Sequence, residues 1–194
     1  MDIASPRRLI VGISGASGVI YGVRTLLALR AAHIETHLVM TRSAQVTLAH
    51  ETSLKVADVQ EMAAVVHRVE DIGASISSGS FQTMGMIVAP CSIRSLSEIA
   101  TGVTSGLLTR AADVVLKERR RLLLLVRETP LHLGHLRNMA RATEMGAIVM
   151  PPVPAFYARP QTVDDIVDHT VGRALDLFGI ETGLVRRWGQ PVSE

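Results

Sequence analysis

The chain has 194 residues, 47% of them hydrophobic and 20% charged, with a formal net charge of +2 and one cysteine, Cys91. That is the make-up of one globular domain with a real core rather than a disordered chain. A single cysteine excludes an internal disulfide and a cysteine-based metal cage, no apolar run reaches membrane-helix length, and so small a net charge gives no case for nucleic acid.

In chain order, Leu9–Ser14 predicts a strand, and Gly18–Leu29 a helix with Val19, Val23, Leu26 and Leu27 on one side. Thr36–Met40 predicts a second strand, followed by a helix from about Ser43. Asp58–Val66 reads as helical, Met86–Ala89 as a strand ended by Pro90, and Ile93–Ala100 as a helix. Leu107–Glu118 is expected as a helix, Leu122–Val126 as a strand, Leu133–Glu144 as a helix and Ala147–Met150 as the last strand. Thr162 and Asp165 form a Thr-x-x-Asp cap that opens a helix running to about Phe178.

Strands that alternate with helices and read as continuous apolar runs imply an α/β fold. The expected form is a Rossmann-like three-layer α/β/α sandwich around a mainly parallel sheet. No repeat or linker interrupts it, so one domain over 1–194 is expected, its C-terminal helix and tail from about residue 162 packing on it or on a neighbour. The opening stretch MDIASPRRLIVGIS lacks a signal-peptide layout, which makes the cytoplasm the default location.

Ligands of open parallel sheets bind outside the carboxyl ends of the strands. The segments leaving those ends here read SGASG, TRSA, PCSIRS, RETP and PPVPAFY, a rim rich in glycine, hydroxyls and arginine that suits a phosphate-bearing ligand. The glycines at 12, 15 and 18 do not have dinucleotide spacing, and Thr41, Arg42 and Ser43 stand where a dinucleotide site wants an acid, which favours a mononucleotide. Ser92 and Ser95 suit helix capping and ligand contact equally. Cys91 reads as a small buried filler. His132 and His135 have metal-like spacing but no visible third ligand, so packing or surface roles are the better reading. Arg173 sits at the edge of the apolar face formed by Ile166, Val167, Thr170, Ala174, Leu177 and Phe178, placed either to snorkel or to meet an anion.

At GISGASG, GSF, PCSIRSLSEIATG, RAADVVLKERRRLLLLVRETPL and PPVPAFYARP the sequence resembles the UbiX-like flavin prenyltransferases, formerly called aromatic-acid decarboxylase partner subunits. The match is in order from Leu9 to Trp188. The resemblance implies bound FMN, no required metal, and transfer of a dimethylallyl group from dimethylallyl monophosphate to reduced FMN. The product, prenylated FMN, serves a UbiD-type decarboxylase. It also implies a trimer-based homo-oligomer, with a dodecamer among its forms, whose sites are completed by neighbouring chains.

Carried over by position, Gly15, Ala16, Ser17, Thr41, Ser92, Ile93, Arg94, Ser95 and Arg127 would contact FMN, with Ser17 near its reacting edge. Tyr157, Arg173, Lys117 and Arg127 would bind the prenyl phosphate, supported by Arg110. Glu128 would be the acid–base residue and Glu51 a second implicated carboxylate. One departure concerns the prenyl pocket: some members carry a tryptophan before GSF, and Ile72 stands near that place here.

The residue types agree with this chemistry. Breaking a C–O bond to phosphate needs cations that hold the developing charge, and a nearby carboxylate moves protons. Two rival readings share the fold: a flavin-dependent cysteine decarboxylase, disfavoured because PCSIRS lacks that group's Asn-containing motif, and a noncatalytic FMN-binding subunit of a decarboxylase.

Overall fold

The computed structural model describes residues 7–189. Part of the opening stretch read above for targeting, and the last five residues, lie outside them. Among the described residues, six strands form one parallel sheet: β1 (Arg8–Ile13), β2 (Glu35–Met40), β3 (Val65–His67), β4 (Gly85–Cys91), β5 (Arg121–Val126) and β6 (Ala147–Val149). Their spatial order is β3-β2-β1-β4-β5-β6, with every pair parallel. The chain therefore winds outward from β1 in one direction, then restarts at β4 on β1's other side. That reversal opens a crevice at the carboxyl ends of β1 and β4.

Seven helices cover the sheet among the described residues: α1 (Val19–Ala31), α2 (Arg42–Glu51), α3 (Val56–Gln60), α4 (Ile93–Thr101), α5 (Leu107–Lys117), α6 (Leu133–Glu144) and α7 (Val163–Asp176). Successive strand residues point to opposite faces, so each central strand feeds two cores. Leu9, Val11, Ile13, Leu38, Ile87, Leu123 and Leu125 pack under α1 and α7, while Ile10, Val39, Met86, Val88, Leu122 and Leu124 pack under α4 and α5. Each large aliphatic side chain buried this way contributes about 1.5–3 kcal/mol. Helix α7 is started by a reciprocal cap, in which Asp165 N donates to Thr162 Oγ1 (3.1 Å) and Thr162 N to Asp165 Oδ2 (2.8 Å). It is tied to α1 by the paired Arg24 and Asp168 side chains.

Three expectations are corrected. Asp58–Val66 is not one helix: α3 ends at Gln60, and Val65–His67 adds to β2 as the edge strand, where paired β-branched valines suit a pleated surface better than a helix end. Pro90 does not end β4, which runs on to Cys91 across a register shift between Val88 and Cys91, an irregularity that accommodates a residue with no N–H. Leu27 is exposed, and Tyr21 and Leu29 join the buried face of α1 in its place. No helix among the described residues is long and apolar enough to cross a membrane.

Candidate functional site

The loops leaving β1, β2, β4 and β5 meet at the crevice. After β1, Gly15 lies so close to the start of α2 that a Cβ there would stand 2.3 Å from Ser43 Oγ and 3.0 Å from the Ser43 backbone carbon. Only glycine fits, and it brings the turn's backbone up to the Thr41 and Ser43 hydroxyls, which are 3.1 Å apart. Gly18 then turns the chain into α1 with φ of 95°, a left-handed conformation that favours glycine.

Helix α1 has no acid in its first turn and no side-chain cap of its own. Glu51, the last residue of α2, supplies the missing carboxylate: it accepts from Gly18 N at 2.9 and 3.0 Å and from Val19 N at 3.0 Å. These N–H groups are otherwise orphaned at a helix start, where the helix dipole also favours negative charge. From the opposite side, Arg127 Nε donates to the Ser17 carbonyl at 3.0 Å.

Two clefts flank this point and share Ser92. One, of about 470 Å³, is lined by Gly15, Ala16, Ser17, Ile93, Arg127 and Glu128 together with Ser92. Glu128 is exposed there, one carboxylate oxygen accepting from Thr129 N at 3.0 Å. The other, of about 500 Å³, runs between the β2 and β4 loops and includes Thr41, Ser43, Arg94, Ser95, Glu98 and Thr109 with Ser92. Ser92 caps α4, its Oγ accepting from Ser95 N at 3.2 Å, so it combines capping with a place in both clefts.

Charge on the second cleft is held in place. Arg42 pairs with Glu70 at 2.7 Å and Arg94 with Glu98 at 2.9 Å. Burial pushes the Glu98 carboxyl up, but the Ser105 hydroxyl at 2.6 Å and Arg94 more than offset it and leave the group below its ordinary range. The Arg42 hydrogen bond lowers Glu70 in the same sense. Both stay ionised and keep their arginines on the rim.

Thus the structure brings together Gly15, Ala16, Ser17, Ser92, Ile93, Arg127 and Glu128, places Thr41, Arg94 and Ser95 in the adjoining cleft, and sets Glu51 on the turn between β1 and α1. It does not bring the other candidates there within one chain. Lys117 ends α5, pairs with Glu118, and precedes β5, whereas Glu128 follows it; six strand residues put roughly 20 Å between them. Arg110 pairs with Asp113 at 2.8 Å on α5. Tyr157 lies in a 3₁₀ turn (Phe156–Ala158), its hydroxyl 3.4 Å from His169 Nε2. Arg173 pairs with Asp176 at 2.8 Å, near Leu177, whose carbonyl is held by Arg121 at the start of β5. Ile72 is exposed.

The remaining sequence candidates find plain roles. Cys91 is buried, and burial pushes its thiol up to about 12, so it is no nucleophile at neutral pH. His132 caps α6 through Nδ1, which accepts from Gly134 N at 3.0 Å, and the His135 ring rests against it at 3.5 Å. Ser43, Glu98 and Thr109 were absent from the sequence-based site. Only Ser43 left a signal, as the second hydroxyl of the TRS run.

The profile of the family described as Flavoprotein matches residues 3–175. The flavin prenyltransferase UbiX of Escherichia coli K12 is 62% identical over 185 residues, covering 94% of this chain and 98% of that one. The crystal structure of AnUbiX (PadA1) in complex with FMN and dimethylallyl pyrophosphate superposes with a TM-score of 0.94 at 47% identity, covering 96% of this chain and 99% of that chain. A dodecameric FMN-dependent UbiX-like decarboxylase from Escherichia coli O157:H7 gives a TM-score of 0.92 at 51% identity, covering 94% and 100%.

Proposed function

This chain belongs to the UbiX flavin prenyltransferases of the Flavoprotein family, and we propose that the crevice between β1 and β4 is where it carries out that reaction. A dimethylallyl group passes from dimethylallyl monophosphate to reduced FMN, and the prenylated FMN is handed to a UbiD-type decarboxylase. The observation that carries the assignment of the site is the single cleft in which Arg127 and Glu128, leaving β5, face the Gly15–Ser17 turn and Ser92.

The residues present fit FMN. The close approach at Gly15 leaves backbone and the Thr41 and Ser43 hydroxyls for a phosphate, and the two clefts joined at Ser92 offer room for an extended mononucleotide. Gly15, Ala16, Ser17, Thr41, Ile93, Arg94, Ser95 and Arg127 are the further contacts in this reading. When bound, reduced FMN supplies the electron-rich ring atoms that accept the prenyl group.

The chain's own part is electrostatic and acid–base. As the C–O bond breaks, its electron pair leaves with the phosphate, and Arg127, Lys117, Arg173 and the Tyr157 hydroxyl hold that charge, with Arg110 in support. Glu128 moves the proton between the ligands and the phosphate. Glu51 keeps the flavin-side turn in place. Lys117 lies at the far end of β5 from Glu128 in its own chain, so a neighbouring copy supplies it. In this reading the protein works as a trimer-based homo-oligomer, with a single flavoprotein domain per chain, in the cytoplasm. The exposed Val153, Phe156 and Trp188 support such an assembly.

Pure protein incubated with reduced FMN and dimethylallyl monophosphate tests the function by mass spectrometry of the flavin. A gain of one prenyl unit is expected. Unaltered flavin would leave a noncatalytic FMN-binding subunit, and loss of carbon dioxide from a C-terminal-cysteine peptide would indicate the decarboxylase chemistry of related folds.

A further inference from the structure

The paired ladder between β1 and β4 runs from Ile10↔Met86 to Gly12↔Val88. Beyond it, β4 carries Pro90, which has no N–H to offer, and the register shift toward Cys91. Yet the loops leaving these two strands form both clefts. Something must fix their separation where regular pairing has stopped.

Ser14, the first residue after β1, is placed to do so. It is buried at 1% exposure. Its Oγ donates to the Pro90 carbonyl at 2.9 Å and accepts from Ser92 N at 2.7 Å, while its own N–H donates to the same carbonyl at 3.2 Å. Its carbonyl accepts from Ala16 N at 2.9 Å, starting the Gly15–Ser17 turn. One hydroxyl, donor and acceptor at once, thus ties β1 to β4 past the paired stretch by holding the Pro90 carbonyl and the Ser92 N–H together. It lines neither cleft itself.

We infer that Ser14 is a positioning residue for flavin binding, pinning Ser92 to the Gly15–Ser17 turn so that the two clefts keep one geometry. The inference rests on the reading of those clefts as the FMN site. Alanine at 14 leaves the Ser92 N–H without its acceptor, and a buried donor in that state draws its loop toward water. Because Ser92 belongs to both clefts, the whole mononucleotide seat loosens, while Lys117, Tyr157 and Arg173, which lie away from the clefts, are untouched.

The test compares wild type, Ser14→Ala and the isosteric pair Ser14→Thr and Ser14→Val. FMN affinity, KM for dimethylallyl monophosphate and amide hydrogen exchange are measured for each. Ser14→Ala is expected to weaken FMN about tenfold and to speed exchange of the Ser92 amide while the Leu124 amide in β5 keeps its protection. KM for the prenyl phosphate should change less than FMN affinity does, since of its proposed ligands only Arg127 adjoins the Gly15–Ser17 turn. Ser14→Thr should bind FMN more tightly than Ser14→Val, and this pair decides the matter if Ser14→Ala does not fold. Wild-type FMN affinity in Ser14→Ala, unchanged exchange at Ser92, or equal behaviour of Thr and Val would overturn the inference alone. Failure of the wild type to bind FMN would overturn the reading of the clefts, and the inference with it.

Discussion

Arg127 and Glu51 hold the two ends of one peptide unit. Arg127 Nε donates to the Ser17 carbonyl at 3.0 Å, and the N–H of Gly18, on the same peptide, donates to the Glu51 carboxylate at 2.9 and 3.0 Å. A cation on the oxygen and an anion on the nitrogen fix the orientation of that peptide plane, and with it the direction of the Ser17 side chain into the cleft. Replacing Arg127 by methionine keeps bulk and removes the donor. The expected result is FMN binding weakened about tenfold, as for loss of a charge-assisted hydrogen bond, read from a fluorescence titration.

Gly15→Ala should be far more damaging than its size suggests. Its Cβ would meet Ser43 Oγ at 2.3 Å and Ser43 Cβ at 2.4 Å, so either the turn or the start of α2 must move. FMN binding is expected to be lost while far-ultraviolet circular dichroism is retained. Ser43→Gly in the same chain should restore part of the binding by removing both clashing atoms.

Glu128→Gln should retain FMN and lower the rate of prenyl transfer by about 10²–10⁴-fold, the usual worth of a positioned acid–base group. Tyr157→Phe and Arg173→Ala should instead raise KM for the prenyl phosphate with little change in FMN affinity. Single-turnover kinetics on the FMN-loaded protein separate these outcomes.

Much of this arrangement is legible in the sequence, for a physical reason. Strands buried on both faces appear as runs such as Leu122–Val126, and the carboxyl-end rule then points to the residues after them, which is how Ser92, Arg127 and Glu128 are found. Edge strand β3 is not legible, because three residues following a short helix carry the same apolar signal as that helix continued. The grip of Glu51 on Gly18 and the contact of Ser43 with Gly15 are tertiary approaches across 33 and 28 residues, with no local pattern to announce them. Lys117 and Glu128 look adjacent in sequence, but a strand carries them to opposite ends of the sheet.

Stability should fall on mild acidification through His67. Its Nε2 lies 2.9 Å from His37 Nδ1, with Glu35 and Arg8 behind His37. Burial first, and the neighbouring His37 second, hold the His67 pKa below the ordinary 6.5, with Asp71 pulling the other way. A histidine that binds its proton more weakly when folded stabilises the fold above its unfolded pKa, and that contribution is lost as pH falls from 6.5 through the folded value. The Tm gap between wild type and His67→Gln should therefore shrink or reverse as the buffer moves from pH 7.5 to about 5.5. A gap independent of pH would show that His67 does not titrate in this way.

In the proposed assembly one chain's Arg127–Glu128 cleft is completed by the Lys117 of another. Lys117→Ala and Glu128→Gln chains, each expected to be nearly inactive alone, test it when co-assembled in equal amounts and assayed for prenylated FMN. Random mixing gives about a quarter of sites an intact Glu128 from one chain and an intact Lys117 from the next, so activity near that fraction of wild type is predicted. No activity at any mixing ratio, or full activity from Lys117→Ala alone, would contradict it.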